Sequence, residues 1–93
     1  MNNAANEIIR QFGHKALFMV GGKVAVKTEN SVRFSFMPNA KGVRHVEIRL
    51  DPSDTYTMTF TTLKGKVVAE IGDVYAENMH SVFEANTGLY TSM

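Results

Sequence analysis

The chain has no cysteine, so disulfides, cysteine-ligated zinc and thiol nucleophiles are all excluded. It also lacks a long hydrophobic run. The longest, Ala16-Leu17-Phe18-Met19-Val20, falls far short of the roughly 20 apolar residues a membrane-spanning helix needs. The start, Met1-Asn2-Asn3-Ala4-Ala5-Asn6-Glu7, carries neither the basic stretch nor the apolar segment of a secretory signal. No internal repeat, low-complexity tract or linker interrupts the 93 residues. These absences predict one soluble, intracellular domain, 1–93, and a reducing compartment suits the missing cysteines. A chain of this length buries about 60–65% of its unfolded surface. That is enough for one core and too little for a deep cofactor vault.

What is present begins with charge. The net value is only +1, but it is a cancellation. All ten Lys and Arg lie between Arg10 and Lys66, where Glu7, Glu29, Glu47, Asp51 and Asp54 leave a balance of +5. Residues 67–93 hold Glu70, Asp73, Glu77 and Glu84 with no Lys or Arg, a balance of −4. Such segregation marks a basic surface, an acidic helix or both, unless strands and helices simply pair their charges across the fold.

Periodicity then places the elements. Ala5, Ile8, Ile9 and Phe12 form one helical face over 4–12, with Asn3 as N-cap, Glu7 in the favourable early turns and Gly13 as the stop. His14 and Lys15 suit the end of that helix. The apolar run 16–20 before Gly21-Gly22 reads as a buried strand, and 24–27 as a half-exposed one, with Val24 and Val26 alternating against Lys23, Ala25 and Lys27. Period-2 alternation continues through 31–37, 43–50 and 55–63, separated by Pro38–Gly42 and by the turn Asp51-Pro52-Ser53-Asp54. After Lys64-Gly65-Lys66 a last strand covers 66–71. A second helix over 74–86 follows, capped by Asp73, with Tyr75, Met79, Val82 and Phe83 as its stripe and Gly88 as its left-handed stop.

Each helix has one apolar stripe and each long strand one apolar face. The fold class is therefore α+β: a two-layer sandwich in which both helices cover one face of an antiparallel meander of about five strands. The other face would present Ser31, Arg33, Ser35, His45, Glu47, Arg49, Thr55, Thr57, Thr59 and Thr61.

Arg33, His45 and Arg49 on that face can hold phosphates. Single-strand binders add stacking aromatics, yet Phe34, Phe36, Tyr56 and Phe60 alternate inward, and Glu47 sits among the cations. The plainer reading is a solvated face with cross-strand Arg–Glu pairs. Lys15, Lys23, Lys27, Lys41, Arg44, Lys64 and Lys66 form a second basic set on loops and strand ends, a contact for nucleic acid or an acidic protein if they converge. Catalytic signals are thin. His14, His45 and His80 lie on different elements. Glu77, His80 and Glu84 share spacings of three and four residues, which suits a solvated helix face better than a metal site. Gly21-Gly22-Lys23 lacks a phosphate-loop spacing, and Ser53-Asp54 is turn chemistry. The expectation is no enzyme, no cofactor and no metal.

The segments Glu7–Gly13, Leu50–Met58 and Val74–Met79 through Thr87–Ser92 resemble a family of small accessory proteins carried by phages and other mobile elements. Family members usually have a second glycine after the first helix, where this chain has His14. The resemblance implies a genomic setting, a host-cell cytoplasm and no catalytic residues. It suggests a non-enzymatic protein that inhibits or modulates a larger host protein or ribonucleoprotein complex, as anti-CRISPR and other anti-defence proteins do. Two surfaces are candidates: an acidic helix with Asp73, Glu77 and Glu84, and the basic residues Arg33, His45, Arg49, Lys23, Lys27, Lys41, Arg44, Lys64 and Lys66. Direct nucleic-acid binding is the alternative. A third reading is a homo-oligomer built by pairing an edge strand such as Val24–Lys27.

Overall fold

The computed structural model describes residues 4–91; the expected cap Asn3 lies outside them. The first helix, α1 (Ala4–Phe12), buries Ala5, Ile8 and Phe12 along one face, with Ile9 packed beside them. Its outer side carries an ion pair of 2.5 Å between Arg10 and Glu7.

The run 16–20 is not the strand its apolar character suggested. Gly13 turns the chain at φ 94°, and its carbonyl accepts from the Leu17 amide at 3.0 Å, opening a new helix, α2 (His14–Met19). Ala16, Leu17 and Val20 are buried while Phe18 is 83% exposed, a one-sided helical pattern rather than alternation. His14 and Lys15 therefore begin a helix instead of ending one. Gly22 lies so close under this helix that a Cβ there would meet Leu17 Cδ2 at 2.8 Å.

Five strands follow: β1 (Lys23–Lys27), β2 (Ser31–Ser35), β3 (Val43–Leu50), β4 (Tyr56–Thr62) and β5 (Val67–Val74). They pair in chain order, β1-β2-β3-β4-β5, every neighbour antiparallel. Val32, Phe34, Val46, Ile48, Met58 and Phe60 face the helices in register and are buried. β1 departs from simple alternation. A bulge at Ala25 sets Val26 beside Arg33 and Lys27 beside Val32, so the two valines lie on opposite faces and all five residues are exposed. Lys27 thereby reaches the helix side, where its Nζ donates to Asn6 Oδ1 at 3.1 Å.

The second predicted helix also starts late. Extended pairing continues to Val74, opposite Tyr56, because Val74 buries its side chain as a strand residue. Asp73 is not a cap; it sits within β5 at φ 54°. Tyr75, expected on the buried stripe, is 57% exposed. A 3₁₀ turn, Ala76–Asn78, leads into α3 (Met79–Thr87), which ends at Gly88 with φ 76°. The terminator is where the sequence placed it, and so are Met79, Val82 and Phe83 of the expected stripe, the first and last buried and Val82 packed against the core.

Phe12 ties the layers together. Its ring lies 5.2 Å from Phe34 and 5.3 Å from Phe83, and Phe83 in turn meets Phe36 at 5.0 Å and Phe60 at 6.4 Å. Such pairs add about 0.5–1.5 kcal/mol each to the burial itself. His80 spans from α3 to α1, bonding the Phe12 carbonyl at 2.5 Å.

Candidate functional site

In a meander, alternate connections fall at the same end of the sheet. The β1–β2 turn, the β3–β4 turn and the C-terminus of β5 share one end. The N-terminus of β1, the β2–β3 loop and the β4–β5 turn share the other. The first end collects Glu29, Asp51, Asp54, Asp73 and, just beyond, Glu77, with Lys27 and Arg49 between them. The second collects Lys23, Lys41, Arg44, Lys64 and Lys66, and no carboxylate occurs in 21–23, 36–44 or 63–67. The charge separation read along the chain is thus re-sorted along the strands. The connections within residues 1–66 place Glu29, Asp51 and Asp54 at one end and Lys23, Lys41, Arg44, Lys64 and Lys66 at the other, with Lys27 and Arg49 left among the acids.

The basic end is locally built. Asn39 orders the β2–β3 loop by donating to the carbonyls of Met37 (3.2 Å) and Val43 (2.5 Å) while its Oδ1 accepts from the amides of Lys41 and Val43. Arg44, an extra residue where the β3–β4 register shifts, donates Nε–H to the Phe36 carbonyl at 3.1 Å. Lys41 Nζ donates to Ala85 O at 2.7 Å, close to the C-terminus of α3, where the negative end of the helix dipole favours a cation. The β4–β5 turn closes through Gly65, whose φ of 89° suits glycine. Lys23, Lys64 and Lys66 make no side-chain hydrogen bond or ion pair among the described residues.

Exposed apolar side chains accompany these cations. Leu63 in the turn is 65% exposed. Phe18 stands in the last turn of α2, adjoining the β2–β3 loop through the 3.0 Å bond from the Met37 amide to the Val20 carbonyl. Tyr90 follows the end of α3 and is 72% exposed. Composition and periodicity did not select Asn39, Phe18, Leu63 or Tyr90. The turn-forming Pro38-Asn39 pair was the available signal for Asn39; exposure of the other three depends on packing.

The polar sheet face is differently made. Arg33 stands opposite Glu47 in register and extends Nη2 to Thr61 Oγ1 at 3.5 Å. Arg49 Nε–H bonds Asp51 Oδ1 at 2.9 Å, and Thr57 donates to Asp51 Oδ2 at 2.5 Å. Those two donors, Thr57 first, hold the Asp51 carboxyl below the usual carboxylate range. Thr59 donates to Glu70. Ser31, Thr57 and Thr61 are buried beneath these longer side chains, so the face is not the uniformly solvated surface its alternation suggested, and Thr55 belongs to the turn. His45 sits half-buried between Ser35 and Thr61 in register, its Nδ1 buried without a partner. The cations of this face are engaged internally.

No family model, curated protein or solved structure matches the chain.

The acidic set does not form one helix face. Asp73 lies in β5, Glu77 in the 3₁₀ turn and Glu84 in α3. Glu84 Oε2 accepts from both the amide and the hydroxyl of Thr91 at 2.8 Å, and these bonds, the amide first, lower its pKa. That carboxylate fastens the C-terminal segment. Among the described residues no helix is long and apolar enough to cross a membrane, and no group of His, Asp and Glu has metal-site geometry. A shallow groove of about 400 Å³ runs between β5 and α3, lined by Ile71, Val74, Ser81, Val82 and Ala85.

Proposed function

We propose that the chain is a non-enzymatic accessory protein of a phage or other mobile element that docks on a host protein or ribonucleoprotein complex and inhibits or modulates it, in the manner of anti-CRISPR and other anti-defence factors. The observation that supports docking is the basic end, where five cations gather on three neighbouring segments that hold no carboxylate, three of them, Lys23, Lys64 and Lys66, with no internal partner among the described residues. Opposite charge on a partner accelerates encounter and fixes orientation there. The sheet face is the weaker docking surface, since Arg33 and Arg49 already face Glu47 and Asp51.

The test is interference in cells. Host cells with active CRISPR immunity and expressing the chain are challenged with a targeted phage, alongside a variant carrying Lys23→Glu, Lys64→Glu and Lys66→Glu. Plating efficiency should rise with the native chain and return to the unprotected level with the variant. Equal plating for the two would remove the basic end as the docking surface, and no rise with either would remove the anti-CRISPR reading.

A further inference from the structure

We infer that the basic end binds single-stranded nucleic acid, with phosphates on Lys23, Arg44, Lys64 and Lys66 and bases against Phe18 and Tyr90; this rests on the reading of that end as the docking surface. The cations form three stations across the sheet: Lys23 on β1, Lys41 and Arg44 at the start of β3, and Lys64 and Lys66 at the start of β5. At about 4.8 Å between neighbouring strands, the stations are about 10 Å apart and the row about 19 Å wide. A flexible polyanion can follow such a row. The lysines at its two flanks have no internal partner, while at the middle station Lys41 donates to the Ala85 carbonyl of α3 and Arg44 to the Phe36 carbonyl.

The aromatics decide among polyanions. Phe18, in α2 just ahead of the start of β1, is 83% exposed, and Tyr90, just past the end of α3 that Lys41 reaches through the Ala85 carbonyl, is 72% exposed. A duplex keeps its bases stacked inside and offers those rings no face, whereas a single strand presents phosphates and bases together. An acidic protein surface would satisfy the lysines but would have to bring apolar patches of its own to cover the rings, whereas every base of a single strand carries a stacking face beside its phosphate. The sheet face lacks outward aromatics and carries Glu47 and Glu70, so the strand's path lies across the end of the sheet rather than over its face.

Fluorescence anisotropy with a labelled 15-nucleotide oligothymidylate, and with a duplex of equal length, tests this. Three to five phosphate contacts predict that affinity for the single strand falls about 20- to 100-fold between 50 and 200 mM salt. The variant Lys23→Ala, Lys64→Ala, Lys66→Ala should lower the log–log salt slope by about 2. The variant Phe18→Ala, Tyr90→Ala should weaken binding about 30-fold or more without changing that slope. All five side chains are exposed, and an unchanged circular dichroism melt verifies the fold. Absence of binding at 50 mM salt, full binding by the lysine variant, or a duplex bound as tightly as the single strand would each overturn the inference. If the oligonucleotide does not bind while the charge-reversed variant still loses anti-CRISPR activity, the end docks on an acidic protein and only the nucleic-acid assignment falls. If oligonucleotide binding is lost on charge reversal but cellular activity is retained, the docking reading falls instead.

Discussion

The two ends of the sheet are made by the same topology and are charged in opposite ways, yet they are not mirror images. At the acidic end the cations are interleaved with the carboxylates. Arg49 is bonded to Asp51, Asp51 also receives Thr57, and Lys27 is drawn to Asn6 on α1. Thr28 caps the adjoining β1–β2 turn by accepting from the Ser31 amide at 3.0 Å. At the basic end, hydrogen bonds organise the loop backbones while three lysines remain unpaired. Charge at the first end serves the fold in part. At the second it is held out at little structural cost, which is the arrangement a docking surface needs.

Several substitutions would break or sharpen this contrast. The largest effect belongs to Phe83→Ala, which removes the ring joining Phe12, Phe36 and Phe60. It should cost about 3–5 kcal/mol in urea unfolding and erase both ends together, since they share one core. Asn39→Ala should cost about 1–2 kcal/mol through its loop bonds and also weaken binding at the basic end; stability loss without binding loss would show that the loop does not present Lys41 and Arg44. Thr28→Ala at the acidic end should cost about 1 kcal/mol and leave oligonucleotide binding unchanged. Acidification acts on one carboxylate at each end, Asp51 in the β3–β4 turn and Glu84 near the C-terminus of α3 beside Ala85, whose carbonyl takes Lys41. Asp51 and Glu84 have lowered pKa values, so their stabilisation is complete above the ordinary carboxyl range and is lost as pH falls through the lowered values. Urea midpoints should fall below about pH 4, and Thr57→Val should reduce the Asp51 share of that fall. Smallest of all, Lys64→Ala or Lys66→Ala should change stability by less than about 0.5 kcal/mol while measurably weakening binding.

Strands β2, β3 and β4 were legible because alternation over five or more residues with one buried face admits little else. The α1 stripe and the Gly13 and Gly88 stops were legible for similar reasons. The run 16–20 was misread because a short apolar stretch fits a buried strand or a helix equally well; the deciding feature, Gly13 starting a second helix at once, is a backbone event. Asp73 resembled a helix cap by residue type, but pairing of Val74 with Tyr56 kept the chain extended past it. The bulges at Ala25 and Val68 follow from sheet register and have no marker in composition. Charge was counted correctly and grouped wrongly. A sum over halves of the chain could not foresee that alternate connections of a meander share an end, although the strand order itself was within reach.

The strands also set a distance. At eight residues, β3 and β5 span about 26 Å, more than three times the screening length of about 8 Å in physiological salt. Neither end feels the other across that interval, so the net charge of +1 is a sum that no partner samples. Electrically the molecule is two objects on one rod. On ion exchangers near neutral pH it should be retained by sulfonate and by quaternary-amine resins alike, each gripping the end the other repels.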